Sequence, residues 1–132
     1  ALCRKVALAK DGEEIEVWGD GKQIRSFCYV EDCVEAMIEL MNSEHKKPVN
    51  LSGDEFISVN EIAQKLISIS GKSLRIKNIS GPEGVRGRQA DNTLRKSILK
   101  WEPKVSFQSG LAKTYFWVES EIAKKNNLLR GV

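Results

Sequence analysis

Two short segments combine arginine, lysine and glycine in a way that suits a polyanionic ligand. The first is Trp18-Gly19-Asp20-Gly21-Lys22-Gln23-Ile24-Arg25-Ser26-Phe27 and the second runs from Gly81 to Asn92, with Arg86 and Arg88 among its glycines. A diphosphate offers several acceptor oxygens, and a planar guanidinium meets two of them at once. Each such charge-assisted bond contributes about 1.5–3 kcal/mol. Two arginines converging from separate segments would supply affinity and orientation, and no bond-making chemistry. The same composition also describes solvated loop arginines, and Trp18 at a strand end also fits a core position.

Other chemistry is thinly represented. No Gly-x-Gly-x-x-Gly run follows a strand pattern, and no Tyr-x-x-x-Lys pair occurs, since Cys33 follows Tyr29 by four residues and Glu119 follows Tyr115. The single histidine, His45, lies in a charged stretch without a nucleophile nearby. Cys3, Cys28 and Cys33 have no metal-type spacing and read as structural or incidental thiols. The residues describe a binder; no catalytic residue and no metal site is expected.

The elements that must position these segments are mixed α and β. Ala1 to about Lys10 reads as the end of a helix without a capping residue. Glu14–Trp18 alternates as a half-buried strand. The Asp20-Gly21 pair predicts a tight hairpin to a returning strand over Ile24–Tyr29. Val30, Val34, Met37, Ile38 and Met41 recur at helical spacing and predict a helix over 30–41 with these residues facing the core. Pro48–Leu51 reads as a short strand. Ser58-Val59-Asn60-Glu61 is a capping box opening a helix that stops near Gly71, with Ile62, Ala63, Leu66 and Ile67 on its inner stripe. Leu74–Ile79 alternates again, a short helix follows near Asn92–Lys100, and a last helix covers about Gln108–Asn127. The expected fold class is α/β, of an α+β-like kind: short strands with three to four helices, too few for a doubly wound sheet, in a single domain over residues 1–132.

Length and charge narrow the partners. The chain has 132 residues, one domain's worth. Its 21 basic and 18 acidic residues are interleaved, which argues against a nucleic-acid footprint. No apolar run approaches the roughly 20 residues of a bilayer span. A cytoplasmic location and no membrane partner are expected.

The order of these motifs resembles the carboxyl-terminal third of extended short-chain dehydrogenase/reductases, the NAD-dependent epimerase/dehydratase family acting on nucleotide sugars. That family carries Gly-x-Gly-x-Gln-x-Arg, here Gly19 to Arg25, and Tyr-Val-x-Asp opening a helix, here Tyr29-Val30-Glu31-Asp32. It then carries an arginine with an aspartate three residues on, here Arg88 and Asp91, and Trp-x-Pro, here Trp101-Glu102-Pro103. Within it, Gly81-Pro82-Glu83-Gly84-Val85-Arg86-Gly87-Arg88, Arg25-Ser26-Phe27 and Pro48-Val49-Asn50 resemble the GDP-mannose 3,5-epimerase branch. Two departures stand out: Lys100 precedes Trp101 where glycine is usual, and the loop between Lys5 and Trp18 is longer.

The resemblance implies that Arg88 holds the diphosphate with Arg25 beside it, that Lys5, Gln23 and Ile24 line the nucleotide end, and that Trp18 lies near the nucleoside. It implies GDP-mannose or a related nucleotide sugar as ligand and NAD as cofactor. The NAD site, the Tyr-x-x-x-Lys pair and the catalytic cysteine and lysine are expected in a part before residue 1, leaving the chain alone inactive. Full-length relatives often form homodimers, and this part is expected to be monomeric. The other readings are a dTDP- or UDP-sugar dehydratase or decarboxylase branch, and a stand-alone non-catalytic remnant.

Overall fold

The computed structural model describes residues 1–82 and 84–130. In chain order it contains helix α1 (Leu2–Leu8), strands β1 (Glu14–Trp18) and β2 (Ile24–Ser26), α2 (Val30–Met41), β3 (Phe56–Ser58), α3 (Val59–Ser70), β4 (Arg75–Ile79), β5 (Gly87–Arg88), a π-helical turn (Arg95–Leu99) and α4 (Phe107–Arg130). The strands form two small sheets. β1 and β4 pair in parallel, from Glu14 opposite Arg75 to Trp18 opposite Ile79. β2 is the centre of the other, antiparallel to β3 and parallel to β5.

The core lies where α1, α3 and α4 cover the inner face of the β1–β4 pair. Alternation along β1 sends Ile15 and Val17 inward, 2% exposed each, to meet Val6, Ala63, Leu66, Leu74 and Tyr115. Tyr115 is fully buried and donates its hydroxyl to Glu119 Oε1 at 2.9 Å; burial pushes its pKa up to about 12.

The capping box is present as read: Ser58 Oγ accepts the Glu61 N–H at 3.2 Å, and Glu61 Oε2 accepts the Ser58 N–H at 2.7 Å. Gly71 closes α3 with φ of 67°. α1 has no side-chain cap at its start but a firm one at its end. The Lys72 ammonium donates to the Val6, Ala7 and Ala9 carbonyls at 2.9, 2.8 and 2.8 Å, closing orphaned acceptors of the last turn.

Three expectations are corrected. Gly19–Lys22 is a turn, with φ of 72° at Gly19 and 70° at Gly21, yet β1 and β2 do not form a hairpin. Both edges of β1's exit are already claimed: the Gly19 N–H donates to Ile79 O at 2.9 Å, and Gly21 O accepts the Asn60 N–H at 3.0 Å. The turn therefore carries the chain from one sheet to the other. Second, residues 48–51 form no strand. The edge of β2 is taken by Phe56–Ser58, and the earlier segment is held by side chains instead, Asn50 on Asp91 O and Ser52 on Ser26 Oγ.

The third correction concerns α2, whose boundaries are as expected but whose apolar stripe faces out. Val30, Val34, Met37, Ile38 and Met41 are 48–81% exposed, while Asp32 and Ala36 are buried. The reason is the anchor on the opposite face, where Asp32 Oδ2 accepts the Val105 N–H at 2.9 Å. Helical periodicity reports a stripe, not which side of it meets the protein. The short helix near Asn92–Lys100 is a π-helical turn ended by Lys100 at φ 50°, the left-handed conformation that glycine adopts most readily.

Candidate functional site

β1, β2, α1 and the loop before β5 meet around a cavity of about 250 Å³. Its walls include Lys5, Glu16, Trp18, Gln23, Arg25, Val59 and Gly84. Four of the residues expected at the site, Lys5, Trp18, Gln23 and Arg25, are thus brought together from three elements. Ile24 and Arg88 are placed beside the cavity, on the two paired strands, and are not in its wall.

Each position has a local cause. α1 ends on the Lys72 clamp, and Lys5 reaches from it to donate to Glu16 O at 2.7 Å, tying helix to strand. Trp18 ends β1 and is 55% exposed; its ring lies against Gly81, where an added Cβ would stand 3.0 Å from the indole Cγ. Gln23 is 7% exposed, its carbonyl accepts the Val59 N–H at 3.1 Å, and its side-chain Oε1 has no partner among the described residues. A buried acceptor left open at a cavity wall is costly without a ligand or water to fill it.

The Arg25 guanidinium is directed by two carbonyls, Ile24 O at 2.6 Å and Val85 O at 2.7 Å. Arg88 is its register partner on the parallel strand β5. Adjacent strands lie about 4.8 Å apart and directly opposed residues send their side chains to the same face, so Arg25 and Arg88 leave their strands on one face. Arg88 is exposed, and neither arginine pairs with a described carboxylate. Like charges at such spacing repel unless an anion joins them.

Arg86 is different, being spent on structure: its Nη2 meets Asp20 Oδ2 at 2.8 Å and binds the Gly19–Lys22 turn to the loop before β5. The Lys22 N–H and this guanidinium hold the Asp20 carboxyl below the usual carboxylate range. Glu83, in the middle of the second segment, lies outside the described residues.

Sequence reasoning missed the groups that hold the site. Asn60 donates to Asp20 O at 3.2 Å and packs against Gly21, where a Cβ would come within 2.0 Å of its Oδ1. Downstream of β5, Arg95 is fully buried, donates to Asp54 Oδ1 at 3.1 Å and lies 5.3 Å from the centre of the Trp101 ring. Its place in a polar, lysine-rich stretch gave no signal of burial.

Residues 1–114 match the model of a family described as GDP-mannose 4,6 dehydratase. GDP-mannose 3,5-epimerase 1 of Oryza sativa subsp. indica is 45% identical over 125 residues, covering 95% of this chain and 32% of that protein. The chain thus spans about a third of the length of the curated relatives it matches. Among solved structures, the UDP-glucose 4-epimerase of Thermotoga maritima, determined with UDP-glucose, superposes with a TM-score of 0.81 at 29% identity over 92% of this chain and 38% of that one. The UDP-glucuronic acid 4-epimerase of Bacillus cereus, a Y149F mutant determined with a fluorinated UDP-glucuronic acid and NAD, gives 0.79 at 26% identity over 90% and 38%. Because residues 1–114, well over half of the chain, match this family's model, the chain belongs to the GDP-mannose 4,6 dehydratase family.

Proposed function

We propose that this chain is the carboxyl-terminal, nucleotide-sugar-binding part of an NAD-dependent enzyme resembling GDP-mannose 3,5-epimerase, acting as one unit over residues 1–132. The observation that carries the reading is the pairing of Arg25 with Arg88 beside a cavity walled by Lys5, Trp18 and Gln23. In this reading Arg88, exposed on the outer strand, takes the diphosphate, and Arg25 presents the guanidinium N–H groups not spent on carbonyls. Gln23 Oε1 accepts from a ribose hydroxyl or a base N–H, Trp18 offers an indole face to the nucleoside, and Lys5 adds positive charge. Ile24 sets the register that places Arg25 opposite Arg88.

The described residues do not fit NAD. The Gly19–Lys22 turn is filled by Asn60 and Arg86, and the first turns of α2 and α3 carry Glu31, Asp32 and Glu61, which repel a pyrophosphate. NAD, and with it the oxidation chemistry, is assigned to the part of the enzyme beyond this chain. The outward apolar stripe of α2 supports the same reading, since an exposed face of that kind is a surface for other protein to cover. Alone, the chain binds without turnover.

The alternative branch, a UDP- or dTDP-sugar enzyme, is favoured by the UDP-sugars named with its solved relatives. Competitive binding of GDP-mannose, UDP-glucose and a dTDP-sugar to the purified chain separates the two. GDP-mannose is expected to bind tightest; tighter binding of either rival would overturn the epimerase assignment. Equal failure of all three would reduce the chain to a non-binding remnant.

A further inference from the structure

The residues one before and four after a helix N-cap face each other across the chain's entry into the helix, where an apolar staple commonly forms. The N-cap of α2 is Tyr29, so these positions hold Cys28 and Cys33. The two converge on one oxygen: Cys28 Sγ–H donates to Tyr29 O at 3.6 Å, and the Cys33 N–H donates to the same carbonyl at 2.9 Å. Both are unbridged and only partly buried. Cys3 is the rival, because it shares with Cys28 the wall of an apolar cavity of about 400 Å³ between α1, α3, α4 and residues 27–29.

We infer that Cys28 and Cys33 form a modification site, a dithiol that closes to an intramolecular disulfide by exchange with a small disulfide such as oxidised glutathione. One protein thiolate attacks the small disulfide and displaces a small thiolate. The other then attacks the mixed disulfide and displaces the second. Two S–H bonds are lost and one S–S bond forms in the protein. The small disulfide takes up two electrons and both protons and leaves as two thiols. Burial first, then the neighbouring Cys33 thiol and Asp32 carboxylate, opposed by the Arg95 charge, push the Cys28 thiol up to about 11, so closure is slow at neutral pH and quickens as pH rises. The ring encloses the N-cap of α2, just after the strand that carries Arg25, and constrains how the chain enters the helix.

The test incubates the purified 132-residue protein with oxidised glutathione at pH 8, blocks remaining thiols by alkylation and measures intact mass. The expected product is lighter by two hydrogen atoms before alkylation and carries one alkyl group, on Cys3. Trypsin with a protease cutting after Glu31 should leave two fragments joined through Cys28 and Cys33. Its thermal midpoint should rise by about 5 °C, because a short loop is closed in the unfolded chain. Cys33→Ser should abolish the mass change and the rise together, while Cys3→Ser keeps both. A Cys3–Cys28 bridge, glutathione adducts that persist on Cys28 or Cys33, an intermolecular bridge, or three alkylatable thiols would each overturn the inference.

Discussion

Arg25 and Arg88 are register partners on parallel strands, and among the described residues only Arg25 is committed to other protein groups, through the Ile24 and Val85 carbonyls. The asymmetry separates their substitutions. Arg88→Ala should leave the fold and thermal midpoint unchanged and weaken GDP-mannose binding by about 2 kcal/mol, close to 30-fold. Arg25→Ala should weaken binding and also loosen the loop before β5, seen as faster amide exchange at residues 84–88. Unchanged affinity in Arg88→Ala, measured by calorimetry, would return Arg88 to a solvated strand residue.

Lys72 reaches the site indirectly. Its ammonium closes three carbonyls at the end of α1, the helix that delivers Lys5 to the cavity. Lys72→Met keeps the aliphatic stem and removes the donors, and should cost about 1–2 kcal/mol of stability. A urea titration measures it. Lys5→Met should cost less, because it loses one bond at an exposed position.

Lys100 holds a left-handed conformation, φ 50° and ψ 25°, at the end of the π-helical turn. Lys100→Gly removes a Cβ penalty of about 1–2 kcal/mol and adds unfolded-chain entropy of about 0.5–1 kcal/mol. A net gain of about 0.5 kcal/mol is expected, read as a small rise in the denaturation midpoint.

Asp54 neutralises the buried Arg95. Hydrogen bonds from Lys96 and Asn92, with the Arg95 charge, hold its carboxyl below the usual value of 3.8. A carboxyl whose pKa is lower folded than unfolded contributes its full stability above the unfolded value and loses it as pH falls through the folded one. Stability should therefore decline in acid below about pH 4. Asp54→Asn should flatten that limb and lower stability at pH 7 by about 2 kcal/mol, leaving Arg95 less compensated. Denaturant midpoints across pH 2–7 measure both effects.

Much of this was legible in the residues, and what was not has physical causes. The capping box at Ser58, the strand at Glu14–Trp18 and the extent of α2 depend on near neighbours and stand as read. The partner of β1 depends on residues sixty positions away, so the Asp20-Gly21 turn suggested a hairpin where a sheet-to-sheet crossing occurs. The outward stripe of α2 was misread because its anchor is a single carboxylate, Asp32, on the face that looked polar. At the site, the residues carried over from motif order, Lys5, Trp18, Gln23 and Arg25, do converge. The supports at Asn60, Lys72 and Arg95 were invisible, because each acts through a contact distant in sequence.

In the proposed function the paired arginines and the adjoining cavity bind a nucleotide sugar. Amide and indole NMR shifts, followed as GDP-mannose is raised to about 10 mM, test it even where half a site binds weakly. Saturable changes centred on Lys5, Trp18, Gln23, Arg25 and Arg88 are expected, and so is their loss in Arg88→Ala. No saturable change, or changes centred elsewhere on the molecule, would contradict it.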